Sequence, residues 1–488
     1  MNFLKEKNNN GLFWLLFGIG ILFIVNFEWG CKKDEFNTDP SFKVSFSADT
    51  VIFDTVFTTI GTSTRSLVIR NTGNNKVNIA SVRLARGKSS PFRINIDGYA
   101  TEELKDLVIA GKDSAYIFVK VTIDPNQADQ PLIQTDSILF STNGNLQNVK
   151  LVAWGQDAYF HHDEKLTGNI TLPVNKPHVI YGSLTAQNGC TLTIPAGAKL
   201  YFHKNSDLEI RSGATIQVEG TLESPVTFLN DRIEKDYKDI PGLWDGIWLE
   251  KGSINNSFVY AEIRNAKVGI QADSCGIQGD RALILHNCLI DNMANYGLLS
   301  TSSHIIATNC QITNSGTNAV ALINGGEYDF RNCTIANFWE FSVRLYPCLS
   351  ISNYTYDTTM TKFGNDLTKA YFGNCIITGS QKDEIEFLKM DGKAFNFAFD
   401  FCSVTWITKT GFKDNFTNCI LNDKDLKFID PRKYNFQLDT LCSAKDAASL
   451  SIINSASQDI THDRKGISRL LDAGPDMGAY ERVEKARK

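Results

Sequence analysis

Basic residues are not in surplus in this sequence: 49 Lys and Arg stand against 54 Asp and Glu, a formal net charge of -5. The electrostatic footprint of a nucleic-acid binder is therefore missing. The main apolar run, Gly11 to Val25, holds about 15 residues against the roughly 20 that span a bilayer as a helix. No Cys-x-x-Cys spacing occurs among the 11 cysteines, which removes the common zinc and dithiol motifs. Methionine is scarce, at five, and over residues 41–157 no stretch of note carries the 3.6-residue period of an amphipathic helix.

What is present points to an all-β protein. Thirty-one Phe and 35 Gly, with abundant Asn, Thr and Ile, suit strands and turns. A length of 488 residues with 42% hydrophobic residues is enough for two or three cored domains. Lys5 and Lys7 precede the apolar run, the order of a secretory signal, so export is expected. From Phe42 onward, short alternating runs such as Ser66 to Arg70 and Tyr116 to Ile123 are separated by turn chemistry such as Asn143-Gly144-Asn145. That pattern predicts an antiparallel sandwich over residues 41–157.

The middle of the chain repeats. His286-Asn287-Cys288-Leu289-Ile290, Thr308-Asn309-Cys310-Gln311-Ile312, Arg331-Asn332-Cys333-Thr334-Ile335, Gly373-Asn374-Cys375-Ile376-Ile377 and Thr417-Asn418-Cys419-Ile420-Leu421 share one pattern. The first cysteine intervals are 310 − 288 = 22 and 333 − 310 = 23; the next, 375 − 333 = 42, is close to two periods, and Cys402 falls at irregular spacing. A period near 22 with strand-type residues fits one turn of a parallel β-helix, predicted over residues 158–440. Cys and Ile two residues apart face the same way, so a buried column of free thiols is expected, with Cys310→Ser costing stability through an unpaired hydroxyl. A second Asn recurs after the Ile, at Asn265, Asn292, Asn314 and Asn337, and suits bends bridged by stacked amides.

Four resemblances extend this reading. Gly30-Cys31-Lys32-Lys33-Asp34-Glu35 resembles the lipobox and surface-export signal of Bacteroidetes-type lipoproteins. It implies a signal peptide over 1–30, acylation of Cys31, a linker over 31–40, and a chain anchored to the outer membrane and displayed at the cell surface. Leu67-Val68-Ile69-Arg70-Asn71-Thr72-Gly73 through Leu151-Val152-Ala153-Trp154-Gly155 resembles immunoglobulin-like domains of the ASPM, SPD-2 and Hydin type, which act as spacers or protein-binding modules. Leu192-Thr193-Ile194-Pro195-Ala196-Gly197 through Trp244-Asp245-Gly246-Ile247 resembles the opening coils of right-handed, single-stranded parallel β-helix proteins of the pectin-lyase-like superfamily. Residues 441–488, ending Asp476-Met477-Gly478-Ala479-Tyr480-Glu481, resemble the closing segment of many exported β-helix proteins and are expected to cap the stack.

Chemistry is harder to find. Lyases of that superfamily use a carboxylate-bound Ca²⁺ with a Lys or Arg base, and its hydrolases use clustered Asp. The repeats carry no Asp-Asp pair, and no catalytic residue is assigned. The best acidic cluster, Asp231, Glu234, Asp236 and Asp239 with Arg232 and Lys235, reads as a solvated loop; Asp231, Asp236 and Asp239 are weak metal candidates, and Asp423, Asp425 and Asp430 weaker still. His161, His162 and His286 read as structural. Aromatics are dense over the middle coils: Trp244, Trp248, Tyr328, Phe338, Trp339, Phe341, Tyr346, Tyr354 and Tyr356. Of these, Trp339, Tyr346 and Tyr354 are taken as glycan or partner contacts, since exposed rings stack on sugars. The expectation is a non-catalytic surface lipoprotein binding glycan, matrix or a partner protein, with no cofactor. The alternative is a Ca²⁺-dependent polysaccharide lyase or glycosidase acting on extracellular polysaccharide.

Overall fold

The computed structural model describes residues 35–57, 64–123, 132–276, 282–407 and 411–483. Cys31 and the apolar run before it lie outside the described residues. Among the described residues no helix is long and apolar enough to cross a membrane. Two compact units divide at Gln156/Asp157.

The first unit is two five-stranded sheets enclosing one core. Alternation does the work: in Ser114–Val121, Ala115, Ile117, Val119 and Val121 point inward while Tyr116, Phe118 and Lys120 face solvent. Leu132–Thr142 turns into Asn145–Gln156 through Asn143 and Gly144, both at positive φ (48° and 83°), the two-residue hairpin that matches strand twist. Its strands pair antiparallel except Thr50–Phe57 and Asn145–Gln156, which run parallel, and a lone parallel bridge joins Phe36 to Lys76.

The second unit is a parallel β-helix. Nine coils give one strand to each of three parallel sheets, and the incomplete last coils bring these to eleven, nine and ten strands, called here first, second and third. The coil Tyr159–His162, Lys165–Leu166, Asn169–Thr171 is followed by His178–Tyr181 directly above its first strand. Inward side chains stack in register: Leu200, Phe228, Ile263, Ile290, Ile312, Ile335, Ile377, Val404 and Leu421 form one column on the first sheet. Eight of its nine members are fully buried, a transfer of about 1.5–3 kcal/mol each.

The cysteine column is real and longer than the repeat suggested. Cys402 belongs to it: the backbone N–H of Cys375 donates to Cys402 Sγ (3.3 Å), and that of Cys402 to Cys419 Sγ (3.4 Å). The intervals 402 − 375 = 27 and 419 − 402 = 17 differ because turn lengths vary while strand register does not. Every described cysteine is free. Cys310 Sγ lies 3.4 Å from the Leu285 carbonyl oxygen and 3.3 Å from that of Thr308. A serine hydroxyl would therefore find an acceptor, against the sequence expectation of an unpaired group. Cys310→Ser is expected to cost only about 1 kcal/mol in urea unfolding, the low end for a buried polar swap.

Two further expectations are corrected. The interval Cys333 to Cys375 is one enlarged coil and not two: Thr334–Asn337 pairs directly with Ile376–Gly379, and the extra length forms an excursion over 338–348 and the hairpin Tyr354–Tyr356/Lys362–Gly364. Nor does the C-terminal segment cap the stack. It runs as a strap along the side of the first sheet, where Arg464 meets Glu262 (3.0 Å), the Tyr480 hydroxyl meets Gln311 (2.5 Å), and the Gly478 N–H donates to the Asn374 carbonyl (2.8 Å). It docks on the asparagines before the cysteines. Asn287, Asn309, Asn332, Asn374 and Asn418 are all left-handed, and Asn309 and Asn332 donate to the strap carbonyls of His462 (2.8 Å) and Asp476 (3.3 Å).

Candidate functional site: an aromatic pocket at a broken asparagine ladder

The site lies at the corner between the first and second sheets. There the chain turns sharply at Asn265, Asn292 and Asn314, with φ of 62°, 64° and 51°. A short amide side chain tolerates that conformation and can bond its neighbours in the stack. Asn265 Nδ2 donates to Asn230 Oδ1 (3.1 Å) and Asn292 Nδ2 to Asn265 Oδ1 (2.8 Å). The same two amides hold the loop over 231–243, donating to the carbonyls of Lys238 (2.8 Å) and Asp239 (2.9 Å).

The next rung is missing. Asn314 Nδ2 turns to Asp291 Oδ1 (3.2 Å) and its Oδ1 accepts the Phe338 N–H (3.1 Å). Asn337 leaves the ladder too, bonding the backbone of Ser315 through both amide atoms (3.2 and 2.8 Å). Asn292 is only 3% exposed, and its Oδ1 has no hydrogen-bond partner among the described residues.

A pocket of about 210 Å³ opens at this break. Its walls are the Asn292 and Asn314 amides, the rings of Phe338, Trp339 and Phe341 from the excursion, and Tyr434 with Arg432 from a distant turn. Trp339 is set by three contacts. Its Nε1 donates to Ser342 Oγ (2.9 Å), its ring meets Phe341 at 5.1 Å between centroids, and it lies close against Gly316, where a Cβ would stand 3.3 Å from its Cζ2. The excursion is pinned from below by Arg344, whose guanidinium bonds both carboxylate oxygens of Glu384 (Nη1 to Oε2, 2.7 Å) and the Tyr346 carbonyl (3.0 Å). Both side chains of that pair are buried.

The local field is acidic. Asp291, next to Asn292, is buried, and burial pushes its carboxyl up to about 6 against hydrogen bonds from Thr313 (2.6 Å) and Asn314 and the charge of Arg264, 4.0 Å away. Burial, then the charges of Asp239 and Asp291, raise the Tyr434 phenol to about 12. Arg432 is matched by Glu340 at 3.3 Å.

Of the residues singled out in the sequence, Trp339 lines this pocket. Tyr346 stands half exposed further along the same excursion. Tyr354 lies on the hairpin, away from this pocket, with one face covered by Lys362 Nζ at 3.5 Å and Tyr356 packed against it at a near-right angle. Trp244 and Tyr328 are core residues, Trp244 bonded to the Arg264 carbonyl (2.8 Å) and Tyr328 to Ser300 (3.0 Å). Asp231 points inward to His203 Nδ1 (2.7 Å), while Asp236 and Asp239 are exposed on the loop. Among the described residues no three His, Cys, Asp or Glu side chains are placed to hold a metal ion.

A second polar cluster, unread in the sequence, sits on the outer face of the third sheet. Asp329 accepts from Arg331 (2.8 Å) and Lys369 (2.8 Å), with Tyr371 beside them. Burial would raise the Asp329 carboxyl, but the two cations outweigh it and hold it below its ordinary range. Arg331 also bonds Ser455 Oγ (2.8 Å), so the cluster ties the strap to the coil.

Fold and site together define a parallel β-helix protein with a lateral aromatic pocket. Residues 164–278 match the family model described as a pectate-lyase like beta helix domain. No curated protein sequence matches the chain. Among solved structures, a family 123 glycoside hydrolase from Clostridium perfringens aligns at TM-score 0.17 and 11% identity, over 25% of this chain and 30% of that one. The ASH/PapD-like domain 7 of human CEP192 aligns at TM-score 0.17 and 12% identity, over 27% of this chain and 94% of that one. Scores this low bear on neither activity nor partner.

Proposed function

We propose that this chain is a non-catalytic, surface-displayed lipoprotein that binds glycan in the pocket around Trp339, with the β-helix as a rigid support and the sandwich as an immunoglobulin-type spacer. One observation carries the reading: four rings and two side-chain amides converge on a cavity of about 210 Å³. Pockets for drug-sized ligands hold about 300–1,000 Å³, so this one suits a single sugar ring of a longer polymer. Rings that stack on a sugar face, beside amides that bond its hydroxyls, are the usual means of holding a glycan. The pectate-lyase like description of residues 164–278 supports a carbohydrate ligand. Anchoring at Cys31 rests on the short apolar run and Gly30-Cys31.

Two measurements test this. The full chain, purified in detergent, is expected to bind one or more polysaccharides of an immobilised panel, and Trp339→Ala to weaken that binding about tenfold or more. Equal binding by the variant would remove the pocket from the function, and release of unsaturated uronate absorbing in the ultraviolet would overturn the non-catalytic reading in favour of a lyase. Metabolic labelling with a palmitate analogue is expected to mark the wild type and not Cys31→Ala.

A further inference from the structure

We infer that the pocket selects an uncharged sugar residue, held through a hydroxyl that donates to Asn292 Oδ1, and discriminates against uronates. The inference rests on the reading of the pocket as a glycan site and goes beyond it in naming the ligand's chemistry.

The orientation of Asn292 is fixed by its neighbours. An amide can be turned either way about its last bond, but here two acceptors, Asp239 O and Asn265 Oδ1, stand 2.9 and 2.8 Å from one end. That end must be the nitrogen. Both its hydrogens are spent, and the end left over is an acceptor. Burying such an oxygen without a donor costs about 1–3 kcal/mol. The rung that would have satisfied it, Asn314 Nδ2, is turned away to Asp291. The Asn314 oxygen is occupied by the Phe338 N–H. The Asn292 oxygen therefore offers an incoming sugar hydroxyl a place to donate; the discrimination against uronates comes from charge.

Charge points the same way. Asp239, Asp291 and Glu340 surround Tyr434, against Arg264 and Arg432. Each guanidinium already has an acidic neighbour, Asp291 at 4.0 Å and Glu340 at 3.3 Å. A uronate carboxylate would enter beside three acids, against two cations that each already face one of them. The rings lining the pocket accept a neutral pyranose face without regard to charge.

The test compares neutral oligosaccharides with uronates built on related rings: gluco-, galacto- and manno-oligosaccharides against oligogalacturonate and oligomannuronate. Binding to the full chain is measured at one fixed salt concentration. At least one neutral series is expected to bind about tenfold or more tighter than either uronate, with affinity lost in Trp339→Ala. For the best neutral ligand, a set of singly deoxygenated analogues should contain one that the wild type binds about tenfold more weakly and that Asn292→Ala does not distinguish from the parent. If Asn292→Ala does not fold, the neutral-to-uronate ratio of the wild type still decides. Uronates binding as tightly as, or more tightly than, every neutral series would overturn the inference while leaving the glycan reading intact. Binding of neither class to the wild type would overturn the glycan reading itself.

Discussion

Arg344→Met is expected to lower the stability of the β-helix unit by about 3–5 kcal/mol and to abolish ligand binding without touching a pocket residue. Removing one partner of a buried ion pair leaves the other charge uncompensated, which is the source of that magnitude. Glu384 is fully buried and is the hub of the excursion's base: besides Arg344 it accepts the backbone N–H groups of Cys348 (2.8 Å) and Gln381 (2.7 Å). Without the guanidinium, its charge has those two donors alone, and the segment carrying Phe338, Trp339 and Phe341 loses its anchor. Urea unfolding and binding should both report the loss, and Arg344→Met/Glu384→Gln should recover most of the stability. Arg432→Ala is the contrasting case, since the Arg432–Glu340 pair is largely exposed and surface pairs contribute at most about 1 kcal/mol. A small effect of Arg344→Met on stability would mean that the excursion is held by its aromatic contacts instead.

That excursion also shows where sequence reasoning runs out. Phe341, Val343, Leu345 and Tyr346 flank Ser342 and Arg344 in a near-alternation of apolar and polar residues. In the structure Arg344 is the buried member and the four apolar side chains are exposed, because Arg344 finds Glu384 forty residues away. No local pattern encodes that. The repeating Cys and Asn were legible because each coil needs the same small inward side chain and the same left-handed turn at the same place. Where a coil meets the geometric need with another residue, Tyr260 or Phe401 in the left-handed position, the repeat disappears from the sequence though not from the fold. The pocket was only half legible. Trp339 belonged to a visibly aromatic stretch, whereas Tyr434 comes from a left-handed turn far along the chain. The decisive feature, a missing rung between Asn292 and Asn314, depends on which way one amide points.

Arg469→Met is the second substitution expected to have a large effect, and its size should depend on pH. Arg469 is fully buried within the strap, where Nη1 meets Glu481 (3.2 Å) and Nη2 meets Asn309 (3.1 Å) and the Gly478 carbonyl (2.9 Å). Asp463 and Asp476 also face it, so one guanidinium serves three carboxyls. Burial, then the Asp476 charge, pushes Glu481 from an ordinary 4.5 up to about 8, and burial raises Asp476 to about 6. A carboxyl whose pKa is raised by folding stabilises the fold fully below its unfolded value, and that contribution is lost as pH climbs through the folded value. The wild-type strap should therefore weaken between about pH 4 and 8, through Asp476 first and Glu481 last. Removing Arg469 takes away the charge that makes an ionised Glu481 tolerable. The variant should thus lie close to the wild type near pH 5 and fall about 3–5 kcal/mol below it above pH 8, the cost of an orphaned buried charge. Thermal unfolding and limited proteolysis of residues 457–483 at the two pH values measure this directly, and Arg469→Met/Glu481→Gln should flatten the dependence. An equal loss at both pH values would show that packing and the Asn309 bond, and not the carboxyl charge, hold the strap to the coil.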